Sequence, residues 1–413
     1  MTDNLLDRDR IKELFDLRNA VGAWNGGDLT DDPHPRWHEL RENGGVHPGT
    51  VHGLSGIDTD LFWHGLPEPD RQHFSTFSFA ACDEVHRNPD VFASSPAATD
   101  ENRNEIGFEL SMLMMGGVQH RRYRALVQPS FVPAKAKWWI EKWIDETVHA
   151  LIDSFEHDGR AELNVDFCAA IPVLTITGSF GVDVARALDI RESLRDPAAM
   201  AEILAPIIQA RRENPTDDLI SVLTEAELTD EDGTHRLSDD EINSFSYLLM
   251  AAGSGTTWKQ MGTTLALLLQ RPDLLAAVRD DRNLLRAVIE ESLRWEPTDP
   301  MFSRWVTRDT ELHGVQIPKG SVVHICLGSG NRDPLRWERP DEFDPYRPAK
   351  PSLAFGGGAH ICLGMHVARA EMNVGISALL DRLPNLRLDP DSEPPQLVGF
   401  YERGVMDSPV VFG

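Results

Sequence analysis

The chain has 413 residues, 41% of them apolar and 26% charged, the balance of a folded globule rather than a disordered tail. Its 40 basic and 66 acidic residues leave a formal charge of −26, which argues against nucleic acid and anionic membranes as partners, since both need clustered Lys and Arg. The longest apolar runs, such as 265–269, fall far short of the ~20 residues of a membrane span. Met1-Thr-Asp-Asn-Leu-Leu-Asp has no basic start before an apolar run, so no secretory leader is expected, and a soluble, cytoplasmic chain is. Cys82, Cys168, Cys326 and Cys362 lack the spacing of a disulfide framework or a zinc knuckle.

Residues 20–70 are rich in Gly, Pro, Asp and His and read as loop with a short helix at 36–42. A strand pair is expected at 45–54, a strand at 74–79 and a helix at 82–87. From 119 to 204 the periodicity is mostly helical. Residues 228–237 read as a polar loop. Ser238-Asp-Asp-Glu241 is a capping box, with the Ser hydroxyl accepting from the third N–H and Glu reaching back. It opens a helix to about 270, long enough to cross a whole domain. Helices follow from Pro272 and over 283–296, then strands over 303–327, loop over 328–360 and a helix over 364–383. The fold class is therefore mainly α with small β-sheets. No linker divides it, so a single unit over 1–413 is expected, with a β-rich lobe from parts of 36–80 and 303–327 and a helical body at 110–300 and 355–388.

Phe355-Gly-Gly-Gly-Ala-His-Ile-Cys362-Leu-Gly364 is the most informative segment. Three glycines clear side chains from one surface, so a flat object can lie against backbone. Cys362 follows just before a helix, whose N-terminal N–H groups and dipole favour thiolate over thiol. A thiolate there suits an axial ligand beneath a porphyrin. Phe355-Gly-x-Gly-x-His-x-Cys362-x-Gly364 resembles the haem-binding signature of the cytochrome P450 monooxygenases, matching it at every defining position. The resemblance covers the chain from Arg36 to about Leu388 and is to the soluble bacterial members. It implies the cytochrome P450 fold, haem b (iron protoporphyrin IX) as cofactor, Cys362 as the iron ligand, and Phe355, Gly356 and Gly364 as part of the haem-binding loop.

Further segments resemble the same family. Glu291-Ser-Leu-Arg294 fits its Glu-x-x-Arg motif, and residues three apart on a helix can pair. With Asn331-Arg-Asp-Pro334, Phe343-Asp-Pro345 and Arg347-Pro348 it implies a structural clamp on the cysteine loop. His120-Arg-Arg-Tyr-Arg124 resembles the family's His-x-x-x-Arg, so His120 and Arg124 are implied to hold a haem propionate, with Arg304 and His360 as further propionate ligands. Arg121 and Arg122 are expected to face solvent.

Ala252-Gly-Ser-Gly-Thr256-Thr257 lies midway along the long helix, where Gly and Thr are poor helix formers. A local opening would accommodate a bound molecule. The segment resembles the family's oxygen-binding groove, with Ala252 against the haem and Thr256 as the catalytic alcohol. The acid that normally precedes that Thr is absent, because position 255 is Gly. About 30 residues separate Ser179-Phe-Gly-Val182 from Arg211-Arg-Glu-Asn, fewer than the family's two lid helices use, which predicts a roof that is short, open or partly disordered. Substrate contacts are expected around 111–115, 248–256, 298–302 and 398–401, with Met112, Leu113, Met114, Met115, Leu249, Phe302 and Phe400 as apolar candidates.

The implied function is haem-thiolate monooxygenation, in which one oxygen atom of O2 enters an apolar small molecule. Electrons are expected from a separate ferredoxin and reductase, since no flavin or iron–sulfur segment follows Gly413, and a monomer is expected. Residues 118–142 hold six basic side chains against Glu141 alone, a candidate docking face for an acidic ferredoxin. Gly255 keeps peroxide-driven or otherwise atypical turnover open, and a haem protein that senses a ligand without turnover is the reading from another class.

Overall fold

The computed structural model describes residues 7–16, 29–57, 68, 70–95, 112–230 and 233–413. The N-terminal part of the chain builds a five-stranded sheet together with a much later segment. Strands β1 (Val46–Pro48), β2 (His73–Thr76), β3 (Phe92–Ala93), β4 (Met301–Val306) and β5 (Val322–Cys326) lie in the order β1-β2-β5-β4-β3. β5 runs parallel to β2, with Val322 opposite His73, and antiparallel to β4, with Val323 opposite Arg304. All five β5 residues are buried, as expected of a central strand covered on both faces. Val51–Leu54 is a short helix capped by Thr50, so the expected strand pair at 45–54 keeps only its first strand. The hydroxyl of Thr50 accepts from Gly53 N–H and turns the chain helical.

Helix α1 (Phe79–Arg87) follows β2 directly, capped by Ser78. Next come α2 (Gly117–Val127), α3 (Ala170–Ser179), α4 (Pro197–Glu213), α5 (Asp239–Leu269), α6 (Leu284–Trp295) and α7 (Met365–Arg382). The capping box that opens α5 is present, with Ser238 Oγ accepting from Glu241 N–H and the Glu241 carboxylate accepting from Ser238 N–H. At ~1.5 Å per residue this 31-residue helix runs close to 45 Å. From Thr257 to Leu269 every residue is buried, so the helix is enclosed on all sides there. It packs against α3, α4, α6 and α7, and one large apolar cluster joins these helices. A smaller cluster lies under the sheet.

Two further expectations change. The segment 228–237, read as loop, instead holds most of a hairpin, in which Glu227–Asp230 pairs with Gly233–Arg236. The helical run also contains a strand at Arg160–Glu162, paired with Pro409–Val411 near the C-terminus. That pairing spans some 250 residues, and no local pattern announces it. Among the described residues no single helix is long and apolar enough to cross a membrane.

A buried ion-pair network fixes the segment between α6 and α7. Arg294 makes a two-point contact with Glu291, Nε to Oε2 at 2.8 Å and Nη2 to Oε1 at 2.7 Å. Its remaining N–H groups donate to the carbonyls of Asn331, Pro340 and Glu342. Glu291 Oε1 also accepts from Arg347 Nε and from Asp344 N–H, both at 2.9 Å. Asn331 Oδ1 accepts from Leu353 N–H at 2.7 Å, three residues before the glycine run.

Candidate active site

The cysteine loop is shaped by glycines that no other residue could replace without strain. Gly356 and Gly358 have φ of 67° and 64°, in the left-handed region. A Cβ at Gly358 would lie 2.0 Å from the carbonyl oxygen of His86, so only glycine lets the loop rest on the end of α1. Cys362 N–H donates to Phe355 O at 2.9 Å and closes the loop. Gly364 then caps α7, which begins at Met365. The Phe355 ring is covered by the Arg369 guanidinium, 4.6 Å from its centroid.

The Cys362 side chain is exposed, unlike those of Cys82, Cys168 and Cys326, yet it sits deep in the fold. Burial raises its pKa, outweighing Gly364 N–H, which favours the thiolate. The helix start thus acts in the expected direction without prevailing in the free thiol. One N–H and the more distant cations Arg124 and Arg369 do not offset desolvation, so a stable thiolate needs a further positive partner.

Around this loop the fold gathers nitrogen donors. The rings of His120 on α2 and His360 lie 4.0 Å apart. Arg124, one turn beyond His120, donates from Nη2 to Ile361 O at 2.8 Å. Arg304 on β4 donates to its neighbour's carbonyl, Ser303 O, at 2.7 Å. Burial lowers the pKa of Arg304 to about 10. Burial and neighbouring cations push His120 to about 4 and His360 to about 3. His86, not anticipated from the sequence, belongs to the same group. Burial and the charge of Arg304 hold its pKa near 3, and neither ring nitrogen has a hydrogen-bond partner. No carboxylate pairs with Arg124 or Arg304 among the described residues. The group is a set of donors and latent cations without an anion.

On α5 the Thr256 hydroxyl donates to Ala252 O at 3.1 Å. Ala252 is exposed and Thr256 half-buried, while Ser254 and Gly255 between them are buried. The expected local opening is absent from the ladder, since α5 is continuous α-helix. The hydroxyl bonds back to the i−4 carbonyl instead. Room is nevertheless present, because a Cβ at Gly253 or at Gly255 would meet no atom within 4 Å.

Three charged groups near this helix were not named from the sequence, although Asp299 falls within the expected contact segment 298–302. Lys259, one turn beyond Thr256, pairs with Glu402. Arg191 reaches α5 from the short helix Ala187–Glu192 and donates to Ser254 Oγ at 2.9 Å. Asp299, in the turn after α6, has a buried Oδ1 with no hydrogen-bond partner. Burial, then the charge of Glu402, raises its pKa to about 7. Lys259 did carry a signal, being a charge inside an otherwise enclosed stretch of helix, but its partner lies 143 residues away.

The roof between 182 and 211 is short but not open. It holds Ala187–Glu192 flanked by single 3-10 turns, then α4, whose Met200, Leu204 and Ile208 are buried in the main core. Leu249 and Met112 are also core residues. Phe400 is fully buried against Trp37, Phe77 and Tyr401, so it is packing rather than pocket wall. Leu113, Met114 and Phe302 are half-buried and Met115 is buried; position 111 lies outside the described residues. Arg121 and Arg122 are exposed, as expected.

Comparison with known proteins agrees with this geometry. The family model described as Cytochrome P450 matches residues 185–403. The chain is 32% identical over 322 residues to the biotin biosynthesis cytochrome P450 of Bacillus subtilis, covering 73% of this chain and 80% of that one. It is 31% identical over 380 residues to the cytochrome P450 monooxygenase PikC of Streptomyces venezuelae, covering 88% and 87%. Among solved structures, it superposes on CYP109E1 of Bacillus megaterium in complex with testosterone with a TM-score of 0.77 at 25% identity, over 93% of this chain and all of that one.

Proposed function

The chain belongs to the cytochrome P450 family of haem b monooxygenases, and from that premise we propose that it hydroxylates an apolar small molecule at a site built around Cys362, with electrons from a ferredoxin-type partner. The observation that carries this reading is the exposed thiol of Cys362 on a glycine-shaped loop, ringed by His120, Arg124, Arg304 and His360 with no anion between them among the described residues. Haem b fits that set on both counts. Its iron is the positive partner a buried thiolate needs, and its two propionates are the anions the donors lack.

Bound there, haem b supplies the reductive activation of O2, by which one oxygen atom enters a substrate C–H bond and the other leaves as water after two electrons and two protons are taken up. The chain's own groups do the rest. Cys362 holds the iron through sulfur. His120, Arg124, Arg304 and His360 would fix the propionates, and His86 adds two unpartnered ring nitrogens to the same group. Phe355, Gly356 and Gly364 shape the loop that would hold the haem, and the exposed Ala252 would leave room for it against α5. Thr256 holds a proton at its hydroxyl, at present donated to Ala252 O, and can turn it toward the pocket. Arg121 and Arg122 lie on the helix whose Arg124 touches the cysteine loop, which suits reduction by an acidic partner near the sulfur side.

Gly255 favours one second reading, peroxide-driven turnover, because no acid flanks Thr256. Turnover under heavy-isotope dioxygen with a ferredoxin, its reductase and NAD(P)H distinguishes the two. The expected product carries one labelled oxygen. Unlabelled product, or product formed only when peroxide is added, would overturn the monooxygenase reading.

A further inference from the structure

The N-terminal helix, Arg8–Phe15, is docked across the roof of the helical body. The Asp7 carboxylate caps it, accepting from the N–H groups of Asp9 and Arg10. Arg8 makes a two-point contact with Asp166. Arg10 Nη2 reaches Asp189 at 3.0 Å and Glu192 at 2.8 Å, both on the short roof helix Ala187–Glu192. Ile11 and Phe15 are buried in the main core. The Phe15 ring stands edge-on to Trp258 of α5, centroids 5.7 Å apart, and the Arg191 guanidinium lies 4.9 Å from the Phe15 centroid. Arg191 Nη1 donates to Ser254 Oγ at 2.9 Å. Among the described residues this is the one hydrogen bond that residues 251–257 of α5 receive from another element. The turn it holds is intrinsically weak. Gly253 and Gly255 flank Ser254, with Thr256 next, and the hydroxyls of Ser254 and Thr256 both bond back to i−4 carbonyls, which loosens a helical ladder.

We propose that Phe15 and Arg191 are positioning residues for Thr256, and that the N-terminal helix is a strap that holds the roof on α5 through them. The proposal rests on the reading of Thr256 as the alcohol at the oxygenation site and adds what keeps its turn in place. With the strap docked, Arg10 fixes the roof helix and the Phe15 ring covers the guanidinium, so Arg191 is aimed at Ser254. The Ser254 hydroxyl is then fixed from outside α5, and the glycine-flanked turn stays continuous helix, as observed. With the strap released, the roof helix loses both ion pairs and Arg191 loses its ring, and the turn beside Thr256 is free to open. Tyr247 Oη donates to Leu194 O at 2.9 Å, so the segment just after the roof helix stays attached to α5 as a hinge. The Arg10 contacts suit a releasable tie, since Asp189 and Glu192 are 39% and 60% exposed, and exposed pairs are weak and screened by salt. Release of the strap thereby couples lifting of the roof to opening of the groove.

The test is hydrogen–deuterium exchange of the 253–257 amides in the holoenzyme, with the amides of α6 as the control for global stability. Arg191→Met should speed exchange at 253–257 about tenfold or more and leave α6 unchanged, whereas Arg191→Lys, which keeps a charged donor, should stay within about threefold of the parent. In a Ser254→Ala background Arg191→Met should alter exchange by less than about twofold, because its bond is already gone. Arg10→Glu and Phe15→Leu undo the strap without touching Ser254 and should speed the same amides about threefold. Raised salt should do so in the parent and not in Arg10→Glu. Product per NAD(P)H should fall in Arg191→Met and be kept in Arg191→Lys. Unchanged exchange in Arg191→Met or in both strap variants, or an Arg191 effect that persists without the Ser254 hydroxyl, overturns the proposal. Exchange needs no turnover, so failure of the haem-thiolate reading is seen separately, in the ferrous–CO spectrum.

Discussion

Position 255 is where a single residue most changes the chemistry expected of this pocket. Two protons must reach the distal oxygen of bound dioxygen, and the Thr256 hydroxyl has no carboxylate beside it. Gly253 and Gly255 leave open space along α5, so water is the remaining carrier. Some reducing equivalents should then escape as peroxide, with product below one per NAD(P)H. Gly255→Asp should fold, since its Cβ meets nothing and Asp is no worse than Gly inside a helix, and it should raise that ratio. Tight coupling in the unmodified protein, or a lower ratio in the variant, would contradict this. Residues of this kind were readable from sequence where the information is local. Cys362, Gly358 and Thr256 sit in short motifs whose chemistry is set by neighbours a few positions away. His86 and Arg191 were not readable, because each acquires its surroundings from a partner 50 or more residues distant.

Among the elements, the α6 clamp carries the most consequence for the site. Glu291 and Arg294 are 4% and 2% exposed, and between them they satisfy three carbonyls, an N–H and Arg347. Removing one partner leaves an uncompensated buried charge, at about 3–5 kcal/mol. Glu291→Gln and Arg294→Met should each lower the urea unfolding free energy by that amount and reduce haem retention, although neither residue touches the cysteine loop. Variants of undiminished stability with full haem content would show that the loop does not depend on the clamp. The sequence pattern located α5 and α6 within two residues, because caps and apolar periodicity are local. The 227–236 hairpin and the strand at Arg160–Glu162 were missed, since strands of only three or four residues are too short to carry a periodic signal.

Across the whole molecule, charge is distributed against the average. The chain is acidic overall, yet α2 and the segment after it are basic. Not all of that charge is free: Lys142 pairs with Asp217 at 2.6 Å and Lys137 with Glu141 at 3.3 Å. Arg121, Arg122 and Lys135 are exposed and carry the patch. Arg122→Glu should therefore slow reduction by an acidic ferredoxin more than Lys137→Glu, leave substrate affinity unchanged, and lose its effect as salt shortens the screening length to about 10 Å near 0.1 M. Equal low-salt reduction rates in both variants and the parent would place the partner elsewhere.

The central claim is that Cys362 is the ligand of the haem iron. It is tested most directly by the visible spectrum of the dithionite-reduced, CO-saturated protein and of Cys362→His. A thiolate opposite CO shifts the Soret band strongly to the red, and an imidazole does not. The parent should carry the red-shifted band and the variant should lack it while still binding haem. A red-shifted band that survives in Cys362→His would assign the iron to another residue and contradict the account.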